Sequence, residues 1–441
     1  MEALVKQKYF VPGIALALLF LLYFPSLHYG AFVDDNSLIF GNSFIKSSQN
    51  PLQYWYRGQM NTKAWPLTHS VYWLLYQGFH LNFALYRSAL ILLHWANGFC
   101  LFLFLRKKSF AAALFSASLF WLSPITVEAV TWISQIGCLL STLFFAFWLR
   151  DFLEEKPASP LRSNALLVAM MITKSYAFFL APMEIFKNAK ILGWKKSLLH
   201  SSPALLFSVY SAFLVSHGIY DYPTEAEHSA SYFLTNPPKP AELVAAPTKE
   251  APIKKTAKIR KSKKILTTPI AVKAEAPPAP IKHEERYLQD QFAKSPEAMK
   301  EKLEVEGRTF SYYLLRSLSF TEIPVRTKQT LAGLNWLFLL LSVASLGLFI
   351  WGLAKRYWLL SVTFATYLSI SGLFYVPFMK LSLVADRVAY LPLFAFIWGL
   401  GELYLRVENK YILKAFWLWP ILFCLLTFFV IREPRAEFPI L

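Results

Sequence analysis

Two adjacent carboxylates, Asp34 and Asp35, follow directly on the first long apolar run of the chain, Phe10 to Leu27. Charges at this place belong at the water surface rather than in hydrocarbon, on the first loop after a membrane span. Neighbouring carboxylates can bind a divalent cation such as Mg²⁺ or Mn²⁺, attract a cationic group, or take a proton from a nucleophile. The alternative is a solvated loop that ends a helix, and position alone leaves both interpretations open.

Other ionisable residues, in the predicted external loops or in the apolar runs next to them, are candidates for the same surface. They are Arg57, His94, Glu128, Lys174, Asp386 and Arg387. A lysine or arginine here either binds an anionic group or reaches toward lipid headgroups. Glu128 is either a second site acid or a charge at a helix start. His94 is either a ligand or a packing residue hydrogen-bonded within a helix bundle.

The composition indicates an all-α polytopic membrane protein. The chain has 441 residues, is 56% hydrophobic and has a mean hydropathy of +0.38, and several runs reach the ~20 residues that a spanning helix needs. The net charge of +18 does not require a nucleic-acid partner, since much of it lies in one polar insert and at span ends. Three cysteines, all in apolar runs, exclude a disulfide framework and a zinc spacing.

The basic residues Lys6 and Lys8 before the first apolar run set the predicted orientation. They place the N-terminus in the cytoplasm, as an uncleaved signal anchor, and the two aspartates outside. Residues 28–83 are then a large external loop, and its second half, Trp65 to Phe79, is predicted as a helix lying in the membrane interface.

Eight further spans are predicted from hydropathy and the basic residues at their inner ends. They are Ala84–Leu105, Ser109–Leu122, Trp132–Leu149, Ser197–Ser216, Thr330–Leu353, Tyr357–Phe374, Val388–Leu405 and Ile412–Val430. The run Leu161 to Phe186 has basic flanks on both sides, which a single span does not allow. We predict two half-length helices there, each ~16 Å long, that form a re-entrant hairpin with Lys174 and Ser175 at its turn.

Residues 217–328 form a polar insert between an N-terminal membrane module, 1–216, and C-terminal membrane helices, 329–441. Its middle, 236–280, is rich in Pro, Ala and Lys and has almost no core-forming residues, so we predict a largely disordered periplasmic segment. This segment is either a spacer or an electrostatic tether to anionic lipid or envelope polymer.

The predicted topology brings acidic and basic groups to one external surface. Transfer of a sugar from a lipid-linked phosphate needs a base for the acceptor hydroxyl and cations for the departing phosphate. Asp34 or Asp35 suits the first role, and Lys174 and Arg387 suit the second. Neither GxGxxG nor GxxxxGK is present, in agreement with a donor carried by lipid rather than by a nucleotide.

Several segments, in order along the chain, resemble motifs of one family. They are Phe32-Val33-Asp34-Asp35-Asn36; Trp65-Pro66-Leu67-Thr68 with Tyr86-Arg87 and Leu92-Leu93-His94-Trp95-Ala96-Asn97; Leu122 to Ser134; Thr173-Lys174-Ser175 with Pro182; and Ala385 to Pro392. The chain resembles the GT-C glycosyltransferases that use polyprenyl-phosphate sugars, in the branch of the O-mannosyltransferases with tetratricopeptide repeats and their bacterial relatives. It departs from the family pattern at Ser123 and Ser175 and has no such repeats after the last span.

The resemblance implies a GT-C-like bundle, here of about eleven membrane segments. It also implies inverting sugar transfer to a hydroxyl on a protein, lipid or polysaccharide, at the periplasmic face of a bacterial inner membrane. Asp34 would be the base, Asp35 would orient it or hold a cation, and Lys174 and Arg387 would bind the donor phosphate; Glu128, His94, Arg57 and Asp386 would be further substrate-binding candidates. The rivals are a transporter or flippase of lipid-linked sugars, which needs charged or broken helices near mid-membrane, and an inactive homologue acting as a scaffold.

Overall fold

The computed structural model describes most of the two membrane parts of the chain. Described are residues 10–32, 35–42, 45–46, 50–56, 65–154, 159–174, 180–218, 346–371 and 389–432. All of them belong to one compact unit, made of residues 1–223 and 300–441, whereas the second unit, 224–299, lies outside the described residues. The described part is helical throughout, without a β-strand, as the composition predicts.

The N-terminal part contains ten helices in its described residues. They are α1 (Phe10–Tyr23), α2 (Gln53–Tyr56), α3 (Pro66–Phe79), α4 (Phe83–Arg106), α5 (Phe110–Leu122), α6 (Thr126–Thr131), α7 (Ile136–Leu153), α8 (Pro160–Thr173), α9 (Leu180–Leu192) and α10 (Trp194–Gly218). Short 3-10 turns at Phe24–His28 and Ile133–Gln135 extend α1 and precede α7, and a π-helical turn spans Asn36–Phe40.

The C-terminal part adds five helices. They are α11 (Leu346–Lys355), α12 (Trp358–Ser371), α13 (Tyr390–Tyr404), α14 (Lys410–Phe416) and α15 (Leu418–Arg432). Helix α13 packs against α5, α7 and α12, and α15 packs against α5 and α1, so the two parts share one core.

Four helical segments are long and apolar enough to cross a membrane: Phe10–His28, Phe83–Arg106, Ile133–Leu153 and Lys410–Phe428. Several long apolar helices therefore indicate a membrane protein. The remaining apolar helices are shorter; α5, for example, has 13 residues, or ~20 Å of helix. The prediction of about eleven membrane segments thus goes beyond what helix length alone supports.

The run predicted as a hairpin consists of two separate helices. Helix α8 has 14 residues and α9 has 13, and Lys174 follows the end of α8 in extended conformation. At ~1.5 Å per residue, each helix is shorter than the ~30 Å hydrocarbon core. The break in the helix at Lys174 agrees with the prediction.

Local sequence signals explain where several helices begin. The side chains of Asn82, Ser109, Ser159 and Asn409 accept hydrogen bonds from backbone N–H groups of the first turns of α4, α5, α8 and α14. Pro160, directly after Ser159, supplies a fixed φ where no N–H donor is needed.

Ion pairs lie at the end of the bundle where basic residues follow the helices. Lys108 Nζ, just after α4, is 2.6 Å from Glu402 Oε1 in the last turn of α13. Asp151 near the end of α7 pairs with its neighbour Arg150 and with Arg162 in the first turn of α8. These ion pairs lie at the helix ends that the positive-inside rule predicts to be cytoplasmic.

A proline inside α10 interrupts the backbone hydrogen bonds of that helix, and a side chain of α8 supplies partners for the backbone groups beside it. Pro203 has no N–H group, and Ser202 Oγ donates to the Leu199 carbonyl that is left over. Asn164 of α8 donates to the His200 carbonyl at 2.6 Å and accepts from the Ala204 N–H at 3.0 Å. One amide side chain thus satisfies both backbone groups next to the proline.

Candidate functional site

The carboxylate of Asp35 attaches the first loop to the start of α7. Its Oδ1 accepts a hydrogen bond of 2.7 Å from the Ser134 N–H, and its Oδ2 accepts one of 3.0 Å from the Phe32 N–H. The side chain is completely buried. Both carboxylate oxygens therefore accept hydrogen bonds from backbone N–H groups. Asp35 is thus a positioning residue for the loop that carries Asp34.

Burial raises the pKa of Asp35 from its ordinary value of 3.8 to about 6, although the two N–H donors and the charge of Arg87 act in the opposite direction. Because the folded-state pKa is raised, the contribution of Asp35 to stability is fully present below about pH 4 and is lost as the pH rises through about 6. Above pH 6 the folded protein contains a buried carboxylate anion.

This shift gives a stability prediction for Asp35→Asn, which has no titrating group at this position. We expect the free energy of unfolding of the wild type, relative to that of the variant, to fall by ~2 kcal/mol between pH 4 and pH 7. Thermal unfolding of both proteins in detergent across this range measures it. A difference in melting temperature that stays constant with pH would contradict the buried, titrating carboxylate.

Arg87, near the start of α4, holds the same loop from a second side. The guanidinium is fully buried, its Nε donates to the Thr131 carbonyl at 2.9 Å, and its two terminal nitrogens donate to the carbonyls of Tyr29 and Gly30. A guanidinium has five donors in a fixed fork, which suits this convergence of backbone carbonyls. Arg87 thus fastens the exit of α1 to the short helix α6.

Aromatic rings complete the support of the loop. Phe32 stacks on Trp132 with ring centroids 5.3 Å apart and an interplanar angle of 22°. The Arg87 guanidinium lies 5.5 Å from the Phe32 ring centroid on the loop side of α4. Phe32, Trp132 and Arg87 therefore form one packed layer.

Helix α3 joins this layer to the end of α8. Tyr72 Oη donates to the Ser134 carbonyl at 2.5 Å, and Thr68 Oγ1 donates to the Thr173 carbonyl at 2.5 Å. Gly137 makes the approach possible, because a Cβ there would lie 2.6 Å from Thr68 Oγ1. The same Ser134 backbone thus contacts Asp35 through its N–H and α3 through its carbonyl.

Lys174 lies at the far end of this connected set. Its ammonium is 4.3 Å from the ring centroid of Trp65, the residue before α3, and both side chains are partly exposed. Its charge also acts on the buried His69 in the first turn of α3, whose pKa is lowered to about 4 by burial and then by Lys174. Cation, aromatic ring and neutral imidazole are therefore grouped at one place.

Glu128 and His94 lie in the core behind the loop. Glu128, on α6, is 8% exposed, in the same short helix whose last carbonyl binds Arg87. His94 on α4 is fully buried; its Nδ1 is 2.8 Å from Tyr390 Oη and its Nε2 is 3.1 Å from the Trp121 carbonyl. Both imidazole nitrogens have partners inside the bundle. This geometry favours His94 as a packing residue hydrogen-bonded within the bundle over His94 as a ligand.

The remaining predicted site residues, Asp34, Arg57, Asp386 and Arg387, lie outside the described residues. The segment that begins α13 is nevertheless placed by Tyr390, which also accepts a hydrogen bond of 3.3 Å from Asn97 on α4. Within the described ranges, no group of three His, Cys, Asp or Glu side chains could hold a metal ion. A cation on the acidic pair stays a prediction.

Sequence reasoning missed three residues of this arrangement. Arg87 was noted within a span but given no role, although a charged residue there indicates function by default. His69 and Ser134 gave no comparable signal, because His69 is one polar residue among many in an aromatic-rich helix and Ser134 acts through its backbone.

The arrangement connects the loop that carries the acidic pair to the Lys174 end of α8, at the end of the bundle opposite to the Lys108–Glu402 ion pair. A carboxylate can activate a hydroxyl, and an ammonium group can stabilise an anionic leaving group. Comparisons of the chain with protein-family models, with curated proteins and with solved structures found no match.

Proposed function

We propose that the protein is an integral-membrane glycosyltransferase that moves a sugar from a polyprenyl phosphate to a hydroxyl acceptor. One observation carries the proposal: the acidic first loop and the Lys174 end of α8 are linked through a single backbone segment around Ser134 and Gly137. Asp35, Thr68, Ser134 and Thr173, which contribute to this chain of contacts, lie in segments that carry the family resemblance and are far apart in the sequence.

In this proposal the general base is Asp34 and the phosphate ligands are Lys174 and Arg387. Asp35 and Arg87 hold the loop so that the base is presented in one geometry, which reduces the entropy lost on reaching the transition state. The Lys174 ammonium at the Trp65 ring stabilises the phosphate as negative charge develops on it. The product is inverted at the anomeric carbon because the acceptor attacks opposite to the phosphate.

The topology that goes with this function places the site outside the cytoplasm, in a bundle of about eleven segments with a re-entrant hairpin. The ion pairs of Lys108 and of Asp151 at the opposite, basic end support this orientation. For a bacterial protein the membrane is the inner one, and the site faces the periplasm.

A transfer assay with Lys174→Met tests the proposal. Full-length protein in lipid vesicles is given polyprenyl phosphates that carry radiolabelled mannose, glucose or an aminosugar, with an envelope extract as acceptor. We expect the wild type to transfer one of these labels. We expect Lys174→Met to raise the KM for the donor about 10- to 100-fold and also to lower kcat, because a charge-assisted contact to phosphate is lost in the bound donor and in the transition state.

Lys195→Met is the matched control, because Lys195 is exposed at the start of α10. Its KM should equal that of the wild type. Wild-type vesicles that release no sugar from any of the donors would refute the transferase, and a Lys174→Met variant with unchanged KM would remove Lys174 from the donor site.

A further inference from the structure

His69 is held in one orientation beside the proposed phosphate site. Its Nδ1 lies 3.0 Å from the Trp65 carbonyl oxygen. A carbonyl oxygen only accepts hydrogen bonds, so Nδ1 carries the proton of the neutral ring and Nε2 carries a lone pair. Among the described residues, Nε2 has no hydrogen-bond partner. The ring therefore presents an unused acceptor.

The imidazole is a neutral group at every physiological pH. It is 3% exposed, and burial lowers its pKa to about 4, with the Lys174 charge acting in the same direction. Protonation would convert the acceptor Nε2 into a donor, so neutrality preserves the chemical character of this position.

Neighbouring contacts make the acceptor rigid. The ring packs between Tyr54, with centroids 6.0 Å apart, and Tyr72, with centroids 5.6 Å apart. Helix α3 is itself fixed at both sides of His69, through the Thr68 bond to Thr173 and the Tyr72 bond to Ser134. A preorganised acceptor loses little entropy when it binds a donor group.

The two functional groups differ in what they can recognise. The Lys174 ammonium, 4.3 Å from the Trp65 ring, donates to anionic oxygen. The lone pair of His69 repels anionic oxygen and needs an O–H or N–H donor. A bare phosphate satisfies the first group alone, whereas a phosphate that carries a hydroxylated substituent satisfies both.

We propose that His69 Nε2 accepts a hydrogen bond from a hydroxyl of the sugar whose phosphate lies against Lys174. His69 is then a specificity-determining residue that distinguishes glycosylated polyprenyl phosphate from the unglycosylated product. This inference rests on the proposed transferase function and adds to it a contact for the sugar.

Binding of two probes to His69→Phe tests the inference. Full-length protein in nanodiscs is titrated with a short-chain polyprenyl-phosphate hexose and with the same polyprenyl phosphate without sugar. We expect the variant to bind the hexose probe about tenfold more weakly and the sugar-free probe as the wild type does, because one hydrogen bond to the sugar is lost. His69→Gln, whose side-chain oxygen also accepts, should recover part of the affinity for the hexose probe.

His80→Phe is the matched control, since His80 is exposed at the other end of α3. It should bind both probes as the wild type does. If both His69 variants lose the same affinity for the two probes, or lose none, the contact between His69 and the sugar is refuted. The proposed transferase function is not refuted by that result as long as the wild type binds the probes. A wild type that binds neither probe overturns the proposed function and this inference together.

Discussion

The Asp34→Asn variant is expected to lose sugar transfer by a factor of ~10²–10⁴, the usual contribution of a general base. Asparagine has nearly the same shape as aspartate, but its amide does not take up the proton of an attacking hydroxyl. The loop should keep its position, because Asp35 and Arg87, whose hydrogen bonds hold it, are unchanged in this variant. The loss should therefore appear in kcat, with the KM for the donor little changed.

Glu408→Gln is the control for this experiment, because Glu408 is an exposed carboxylate just after α13, at the opposite end of the bundle. Its rate of transfer should equal that of the wild type. Transfer by Asp34→Asn at the wild-type rate, with full expression, would exclude Asp34 as the base. Loss of donor binding in the same variant would assign the residue to recognition instead of proton transfer.

Arg87→Met is expected to have the largest effect on stability, with a loss of ~3 kcal/mol or more in the free energy of unfolding. The variant keeps much of the apolar volume but leaves three carbonyls, those of the half-buried Tyr29 and Gly30 and of the buried Thr131, without their charged donor. A hydrogen bond to a charged group contributes ~1.5–3 kcal/mol, and a buried acceptor that loses its partner is costly. Asp35 also loses the nearby positive charge that favours its ionised form.

Melting of the purified variant in detergent measures the effect, with Arg406→Met as the matched control at an exposed position. The melting temperature of Arg87→Lys should lie between those of the wild type and Arg87→Met, since one ammonium group does not reproduce the three hydrogen bonds that the planar guanidinium donates. If Arg87→Met melts like the wild type, the loop is held by other groups, and its transfer activity should then also be intact.

Helix positions were largely predictable because membrane spans and their caps leave strong local signals. Ala84–Leu105 was predicted and α4 runs from Phe83 to Arg106, and the break at Lys174 followed from basic residues on both sides of one apolar run. The number of spanning segments was less predictable. Helices such as α5 are shorter than a bilayer core, and hydropathy does not reveal how a bundle accommodates them.

The sequence indicated the charged residues of the candidate site but not the hydrogen bonds that link them to distant segments. The acid pair and Lys174 attract attention because charges next to hydrocarbon are costly. The partner of Asp35 is a backbone N–H of Ser134, 99 positions away, and no side-chain pattern encodes such a contact. The sequence also did not show that Asp35 accepts hydrogen bonds from backbone N–H groups instead of reacting with a substrate.

The Asn164 amide of α8 bonds to the backbone of α10 on both sides of Pro203, so that the positions of α8 and α10 depend on one another. Since the same side chain accepts from the Ala204 N–H and donates to the His200 carbonyl, a displacement of α8 must also move the backbone of α10 on the two sides of Pro203. Lys174 directly follows α8. A ligand that displaces Lys174 and α8 would therefore also displace the two halves of α10 relative to one another.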